Sequence, residues 1–426
     1  MKRVLVLSVS SWNSVCGANT WESLLETYNS SYVANICIRD EIPDSKVCSR
    51  YFSISENRII KSLFRRSIKT GIEILPENSR DGAEKDLQAH NERYKKMKNR
   101  PYPLLLAREM IWKIGKWHTP ELDAFLDSFQ PDIILHSMEG YIHLNRIVEY
   151  AIKRTGAKAV GYIWDDNFTY KQSKKLGYKV YRFFQRRSLR SLAKKTTAFF
   201  AITEKTKEEA DAFFGIDCHV LTKPLNSIPV VEYGQMQKPI RLLYTGNLYI
   251  GRDQSLLKVV EAIKKFPIGT FFVDVYTGSQ LEEAYLAKID PKVCCIHAPI
   301  PQAQVIEKQK EADILLFLED IDGPDAQVAR LSFSTKLTDY LSSGRCIFAV
   351  GNGDTAPMRY LRDYDAAFTA CAEDEIIDCL QRIAQAPEQV VACAKRAAEL
   401  GIQNHSKEKI QTVFDGVINN LESTAS

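Results

Sequence analysis

The feature that most constrains the fold is a repeated alternation of short apolar runs with amphipathic segments. It begins at residue 3 and starts again at residue 241. The apolar runs have the length of strands, and the segments between them have helical spacing. Strands that alternate with helices form parallel sheets covered by helices on both faces. Because the alternation occurs twice without sequence repetition, we predict an α/β protein with two doubly wound domains facing a cleft.

The boundary between the two predicted domains is marked by prolines. The stretch after residue 222 contains several prolines and has little periodicity, which is typical of a linker. We therefore predict a Rossmann-like domain over residues 1–223, a linker over 224–238 and a second Rossmann-like domain over 239–404. The final helix has one apolar face, so we expect residues 405–426 to cross back and pack on the first domain.

Charge is distributed unevenly between the two halves. The net charge is +4, but residues 1–223 carry +11 and the remainder carries −7. A basic half is suited to an anionic partner. Two amphipathic segments concentrate this charge, Asn57–Lys69 and Lys171–Lys195, and the second contains ten Lys or Arg residues and no acid.

The segment Lys171–Lys195 combines an apolar stripe with a basic one. The predicted apolar stripe comprises Leu176, Val180, Phe183, Phe184 and Leu192, and the predicted basic stripe comprises Arg182, Arg186, Arg190 and Lys194. Such a helix can lie on an anionic bilayer, so we expect peripheral membrane contact. The alternative is a surface helix whose apolar stripe packs on its own sheet. A nucleic-acid partner is not expected, because no RNA-binding module is recognisable.

The cysteines and the N-terminal residues indicate the cellular compartment of the protein. Ten cysteines are scattered without a Cys-x-x-Cys pair, and the short apolar start is followed at once by polar residues, unlike an export signal. No run approaches the ~20 apolar residues of a membrane span. We therefore expect reduced thiols and a cytoplasmic protein, located at the inner face of the cell membrane.

The segment Leu331–Gly351 reads as a loop, a short helix and a buried strand. Ser334 or Thr335 is placed to cap the helix, whose free N–H groups favour phosphate. Lys336 adds a full positive charge in the first turn, and Asp339 follows on the same face, where it can accept from the hydroxyls of a ribose. This pattern predicts a nucleotide-diphosphate pocket. An ordinary capped helix with a solvated lysine and aspartate is the alternative.

Two further segments follow predicted strands. The loop Thr245–Asp253 contains Gly246, which lets backbone approach a phosphate closely, and Arg252, whose guanidinium can donate to phosphate oxygens. In the first half, Asp165 and Asp166 come directly after the strand Ala159–Trp164. Carboxylates at this end of a central strand point into the ligand crevice, although they can equally cap the next turn.

These segments resemble glycosyltransferase family 4 and its relatives, also called group 1. Residues 244–253, Tyr-Thr-Gly-Asn-Leu-Tyr-Ile-Gly-Arg-Asp, are similar to the family's glycine-containing phosphate loop. Residues 334–347 are similar to its Ser-Lys-Leu-x-Glu-Tyr-Leu segment, with Asp339 in place of the ribose-binding glutamate. The family's second glutamate would fall at Leu331, and its usual first-domain histidine would fall at Trp164. The resemblance implies the GT-B architecture over the whole chain.

The resemblance also implies roles for individual residues. The residues implied to bind the donor are Gly17, Gly246, Asn247, Arg252, Ile300, Ser334, Thr335, Lys336 and Asp339. Those implied to contact the acceptor are Trp12, Asn13 and Asp166, and those implied to be catalytic are Asp165, Arg252 and Lys336. No metal ion or cofactor is implied, because these cations and helix N-termini would offset charge on the leaving diphosphate.

The implied activity is transfer of a sugar from a UDP- or GDP-linked donor to a saccharide or lipid-linked saccharide acceptor. Retention of configuration is implied, and if the enzyme inverts instead, Asp165 or Asp166 is the predicted base. The implied pathway is bacterial surface-polysaccharide synthesis, such as capsule or lipopolysaccharide. Two alternatives stay open: a sugar-nucleotide 2-epimerase, which would use cleft groups such as His136 and Glu139, and a non-catalytic GT-B partner subunit.

Overall fold

The apolar runs of the N-terminal half form an eight-stranded sheet. The structure, a computed structural model, describes residues 2–12, 20–65, 67–74, 101–225, 227–323 and 325–421. The first unit comprises Met1–Val220 and Phe414–Ser426. Its strands are β1 (Val4–Ser8), β2 (Val33–Cys37), β3 (Arg50–Ile54), β4 (Gly71–Ile74), β5 (Ile133–Ser137), β6 (Lys158–Ile163), β7 (Ala198–Ala201) and β8 (Cys218–Val220). Its helices are α1 (Thr20–Leu25), α2 (Glu56–Phe64), α3 (Tyr102–Ile114), α4 (Pro120–Phe129), α5 (Ile142–Thr155), α6 (Leu176–Ala193) and α7 (Glu204–Phe214).

The strand order of this sheet locates its ligand edge. The order is β4-β3-β2-β1-β5-β6-β7-β8, and the pairs are parallel except that of β3 with β4. The chain runs from β1 toward one side of the sheet and from β5 toward the other. Ligands of such sheets bind where the carboxyl ends of these two strands diverge. The two central strands are buried throughout, as strands covered on both faces must be.

The second unit, Leu221–Val413, repeats this architecture with six strands. Its strands are β9 (Ile240–Thr245), β10 (Phe271–Tyr276), β11 (Cys294–His297), β12 (Ile314–Leu318), β13 (Cys346–Val350) and β14 (Phe368–Ala370). Its helices are α8 (Arg252–Ile263), α9 (Glu283–Leu286), α10 (Gln302–Glu311), α11 (Thr335–Ser342), α12 (Ala356–Asp363), α13 (Glu373–Gln385) and α14 (Pro387–His405). The sheet order is β11-β10-β9-β12-β13-β14, and all described pairs are parallel.

The stretch expected to be a linker, 224–238, belongs to the second unit. Tyr233 anchors it, because its hydroxyl donates to the carbonyl of Asp313 at 2.9 Å and accepts from the amide of Cys346 at 2.6 Å. Composition alone did not show that an aromatic residue within the proline-containing stretch packs against the sheet.

The last helix, α15 (Lys407–Asn420), crosses the boundary between the units at residue 413. Its C-terminal part packs within the first unit, where the ring of Phe414 stacks on Phe200 with centroids 6.0 Å apart. The side chain of Lys2 also donates to the carbonyl of Ile418 at 2.9 Å. The predicted return of residues 405–426 therefore begins later than expected, at Phe414.

Helix α6 presents the face opposite to the one expected for a surface helix. Most of its predicted apolar stripe is exposed, with Leu176 77% and Phe183 54% exposed, whereas Leu192 is buried. Part of the predicted basic stripe instead faces the protein, since Arg182 is buried and Arg186 lies over the ring of Phe213 at 4.2 Å, whereas Arg190 and Lys194 are exposed. Guanidinium groups can bury because they stack on aromatic rings and donate to carbonyls. None of the helices in the described part of the chain combines the length and apolarity of a membrane span.

Candidate functional site

The ligand edge of the second sheet lies where β9 and β12 end. The chain leaves β9 toward β10 and leaves β12 toward β13, so the two outgoing loops diverge at this point. The loop after β9 contains Gly246, and helix α8 begins six residues later at Arg252. Glu319 follows β12 directly, and Lys336 lies in the first turn of α11. Gly246, Arg252 and Lys336, which were predicted from two separate segments, are thus brought to one edge.

Lys336 is held in place by Tyr244 and Gly246. Its amino group donates to the hydroxyl of Tyr244 at 2.7 Å and lies 4.3 Å from the centroid of the same ring. A Cβ atom at Gly246 would stand 2.3 Å from Cε of Lys336. Only a glycine leaves room for this approach, and its φ of +127° is one that other residues rarely adopt. The sequence predicted a glycine that admits phosphate; the structure shows that it also admits the lysine.

The environment of Lys336 disfavours its charge. Burial and then the positive charge of Arg252 lower its pKa from 10.5 to about 7, although Glu319 and Asp339 oppose this shift. A neutral amine therefore coexists with the ammonium form near neutral pH. A bound anion would restore the charge, because an adjacent negative group favours the ammonium form.

Arg252 is engaged by a partner that sequence reasoning missed. Its Nη2 donates to both carboxylate oxygens of Glu319, at 2.9 and 3.0 Å, and its Nε donates to the carbonyl of Leu318 at 3.2 Å. Glu319 is buried, and its charge raises the pKa of Arg252 against the effect of burial. The phosphate contact predicted for Arg252 stays a prediction, since a carboxylate occupies that side of the guanidinium. The sequence does contain an indication of this partner, because the acidic residues Glu319 and Asp320 directly follow the apolar run of β12.

The end of β12 is tied to the start of α8 by further contacts. Ser255 donates from its hydroxyl to the carbonyl of Glu319 at 2.7 Å. Asp320 accepts from the amides of Gly323 at 2.9 Å and Asp325 at 3.0 Å. Its carboxyl carbon lies 2.4 Å from where a Cβ of Gly251 would be, so that glycine is sterically required. These contacts hold Arg252 and Glu319 in fixed positions relative to each other.

The start of α11 differs from the prediction in one respect. Ser334 is the N-cap residue and Thr335 begins the helix, but the Ser334 side chain makes no capping hydrogen bond. The first N–H groups of a helix have no acceptor within the helix, so they stay directed outward. One turn later, Asp339 lies 3.5 Å from the amino group of Lys223, and both side chains are mostly buried. This lysine was not predicted as a neighbour.

The loops after β9, β10 and β11 meet beside this edge. A Cβ atom at Gly278 would lie 3.9 Å from Oδ1 of Asn247 and 3.8 Å from Cγ of Pro299. Ile300, predicted to line a base-binding loop, follows Pro299 and is half-buried. Asn247 and Ile300 therefore lie at the same sheet edge as Gly246.

The predicted site residues of the first unit differ in where the structure places them. Asp165 follows β6 and is partly exposed, and its catalytic role stays a prediction. Asp166 is buried and accepts from the amide of Thr169 at 2.9 Å and from its hydroxyl, so its carboxylate closes a turn rather than facing an acceptor. Trp12 is 1% exposed and belongs to the core, which corrects its predicted acceptor contact. Gly17 and Asn13 lie outside the described residues.

The fit of Gly246 against Lys336 predicts a large effect of one methyl group. Gly246→Ala is expected to lower the free energy of unfolding by about 1–3 kcal/mol, because the backbone conformation is strained for alanine. It would also displace the amino group of Lys336. Urea unfolding measures the loss, and Gly278→Ala is the matched control, since its nearest neighbour would be 3.8 Å away. Equal midpoints for the two variants would contradict this account.

Comparison with known proteins identifies the architecture. No protein-family model matches the chain, and no curated protein matches it in sequence. Anabaena HepE in complex with UDP aligns over 99% of this chain and 100% of its own, with a TM-score of 0.63 and 10% identity. The sucrose-phosphate synthase of Thermosynechococcus elongatus aligns over 100% of both chains, with a TM-score of 0.62 and 9% identity.

A third similar structure is the UDP-forming trehalose-phosphate synthase of Burkholderia xenovorans in complex with glucose-6-phosphate. It aligns over 99% of this chain and 100% of its own, with a TM-score of 0.57 and 10% identity. Likeness at such low identity establishes the fold alone, and membership of family 4 in particular stays a prediction. The chain has the two-domain α/β fold of the GT-B type, as its sequence predicted.

Proposed function

We propose that this chain is a glycosyltransferase that moves a sugar from a nucleoside-diphosphate donor to a saccharide or lipid-linked saccharide. The observation that carries the proposal is the placement of Lys336 against Gly246 at the ligand edge of the second sheet. Similar structures support it, because their descriptions name UDP, UDP-glucose and glucose as bound molecules. A UDP- or GDP-linked donor suits a site that offers one partly buried cation and a helix N-terminus to phosphate.

The proposed donor-binding roles follow from position. Lys336 and the first N–H groups of α11 would bind the diphosphate, and Asp339 would accept from the ribose hydroxyls. Asn247 and Ile300 would line the base-binding side. As the bond to the sugar breaks, negative charge grows on the departing diphosphate, and Lys336 would stabilise it. We propose transfer with retention of configuration and without a metal ion or cofactor, in bacterial surface-polysaccharide synthesis.

Calorimetric titration with UDP and GDP tests this assignment. Asp339→Asn is expected to weaken binding of the preferred nucleotide about tenfold or more, because charge-assisted hydrogen bonds to hydroxyls are lost. Lys223→Met is the matched control, since it removes the ion pair at 3.5 Å but leaves the carboxylate. Unchanged affinity in Asp339→Asn would refute the ribose contact.

A donor panel with mass detection then separates the remaining functions. A transferase converts a nucleotide sugar and an acceptor to a glycoside, whereas a 2-epimerase converts the nucleotide sugar without an acceptor. A protein that binds nucleotides and does neither fits the non-catalytic partner subunit. NMR of the anomeric proton of the product decides between retention and inversion.

We further propose peripheral contact with the inner face of an anionic membrane, which suits a lipid-linked acceptor. The supporting observation is a set of exposed apolar side chains on α2, α3 and α6, of which α3 packs against both of the others within the first unit. The members of this set are Phe64, Leu104, Met110, Ile114, Leu176, Val180, Phe183 and Phe184. Exposed lysines occur at the start of α6 and within it, among them Lys175 and Lys179. Apolar insertion and charge attraction together favour an anionic bilayer.

Vesicle binding tests the membrane proposal. Because a basic residue near an anionic surface contributes about 1 kcal/mol, replacing Lys175 and Lys179 by Gln is expected to weaken binding to phosphatidylglycerol-containing vesicles about thirtyfold. Replacing the exposed Lys264 and Lys265 of the second unit by Gln is the matched control. Sedimentation with vesicles at low salt measures the effect. Absence of wild-type binding under these conditions would remove the proposal.

A further inference from the structure

The ligand edge of the first sheet carries a carboxylate that no assigned role uses. Glu139 lies two residues beyond the end of β5, one of the two central strands where the outgoing loops diverge. Asp165 lies two residues beyond the end of β6, the neighbouring strand. Both side chains are partly exposed, whereas Asp166 is buried and closes a turn.

The backbone that carries Glu139 is clamped by three side-chain amides. Residues 138–140 present three consecutive carbonyl groups, and each accepts from an amide on a different element. Asn167 donates to the first at 3.4 Å, Asn145 to the second at 3.2 Å and Gln185 to the third at 2.7 Å. Three such bonds on three successive carbonyls hold the loop rigidly, as a substrate-binding group requires.

Gly140 makes the clamp sterically feasible. A Cβ atom at this position would lie 2.6 Å from Nε2 of Gln185 and 3.0 Å from Oδ1 of Asn167. The glycine therefore serves the close approach of the two amides. The three amides serve to position the carboxylate of Glu139, because each of them donates to a backbone oxygen of the loop that carries it.

The side chain of Glu139 faces groups of both signs. The side chains of Ser137 and Trp164 and the charge of Arg39 favour its ionised form, whereas the charge of Asp165 opposes it. Arg39 itself lies 3.6 Å from Glu41. Burial, followed by the charge of Asp165, raises the pKa of Glu139 to about 7.

We propose that Glu139 and Asp165 form a binding pair for the hydroxyl groups of the saccharide acceptor. Carboxylates accept strongly from sugar hydroxyls, and two of them on neighbouring strand ends can engage adjacent hydroxyls of one ring. The pair rests on the proposed glycosyltransferase function and adds the acceptor side of it. As Glu139 ionises, its hydrogen bond to a hydroxyl becomes charge-assisted, so acceptor affinity rises as pH increases through about 7.

NMR of protein labelled with ¹³C at the glutamate carboxyl carbons tests the pair without requiring turnover. One resonance, absent in Glu139→Gln, is expected to titrate near pH 7 and to titrate at lower pH in Asp165→Asn, where the opposing charge is removed. Octyl β-D-glucopyranoside and other octyl glycosides serve as acceptor probes and are expected to shift it. A resonance that responds to none of these glycosides overturns the proposal.

Kinetics supply the second readout. With the donor selected by the panel, Glu139→Gln is expected to raise the acceptor KM about tenfold and to abolish its pH dependence, while donor affinity stays unchanged. Glu204→Gln, an exposed position in the same unit, is the control and should match the wild type. An unchanged acceptor KM overturns the pair. Wild-type protein that binds no nucleotide overturns the proposed function instead, and the NMR titration still decides the pair.

Discussion

Lys336→Met is expected to lower the rate of sugar transfer about 100-fold or more and to weaken nucleotide-sugar binding. The amino group is the cation that Tyr244 and Gly246 position at the ligand edge of the second sheet. Removing one preorganised group that stabilises developing negative charge typically costs a factor of about 10²–10³ in rate. Steady-state kinetics on the preferred donor measure the loss. Lys258→Met is the control, because that lysine is paired with Asp322 at the surface.

The lowered pKa of Lys336 leads to a prediction of how donor binding depends on pH. Its pKa in the free protein is about 7, and a bound diphosphate raises it because the anion favours the ammonium form. Binding must therefore take up a proton above pH 7, and affinity must fall as pH rises from about 7 toward the pKa of the complex. Calorimetry with UDP-glucose or a GDP-sugar, in buffers of different ionisation enthalpy, measures the proton uptake. A pH-independent affinity, or the same profile in Lys336→Met, would contradict this assignment.

Glu319→Ala is expected to destabilise the protein by about 3–5 kcal/mol, the largest stability effect among these changes. The substitution leaves the guanidinium of Arg252 buried without its carboxylate partner. The expected result is a large fall in the urea midpoint of unfolding. A loss of less than about 1 kcal/mol would show that the pair is solvated and contributes little.

A double variant separates the two roles of Arg252. Replacing both partners by apolar residues, as Arg252→Met with Glu319→Leu, is expected to restore most of the lost stability, because no unpaired charge stays buried. Nucleotide affinity then decides the function of the arginine. Reduced affinity in this stable variant supports the phosphate contact predicted from the sequence, whereas unchanged affinity assigns Arg252 a structural role.

Local patterns predicted most of the architecture. The apolar runs of β1, β5, β9, β12 and β13 and the apolar spacing of the helices follow from short-range periodicity, and alternation of the two implies parallel sheets. Gly246, Lys336 and Asp339 were predicted because each stands at a fixed offset from a strand or helix end. The position of a residue along its own helix or strand could thus be predicted without tertiary information.

Contacts between residues on different helices, strands or loops could not be predicted in this way. Glu319 against Arg252, Lys223 against Asp339 and the amide clamp on residues 138–140 join segments that are distant in the chain. Helix α6 shows the same limit: its two stripes were predicted, but which of their residues face solvent depends on tertiary contacts, such as the aromatic ring of Phe213 that covers the guanidinium of Arg186. The sequence by itself determined the elements and their order, because these depend on local spacing. The tertiary structure alone decided which charges meet and which faces are covered, because contacts between distant segments depend on how the sheets and helices pack.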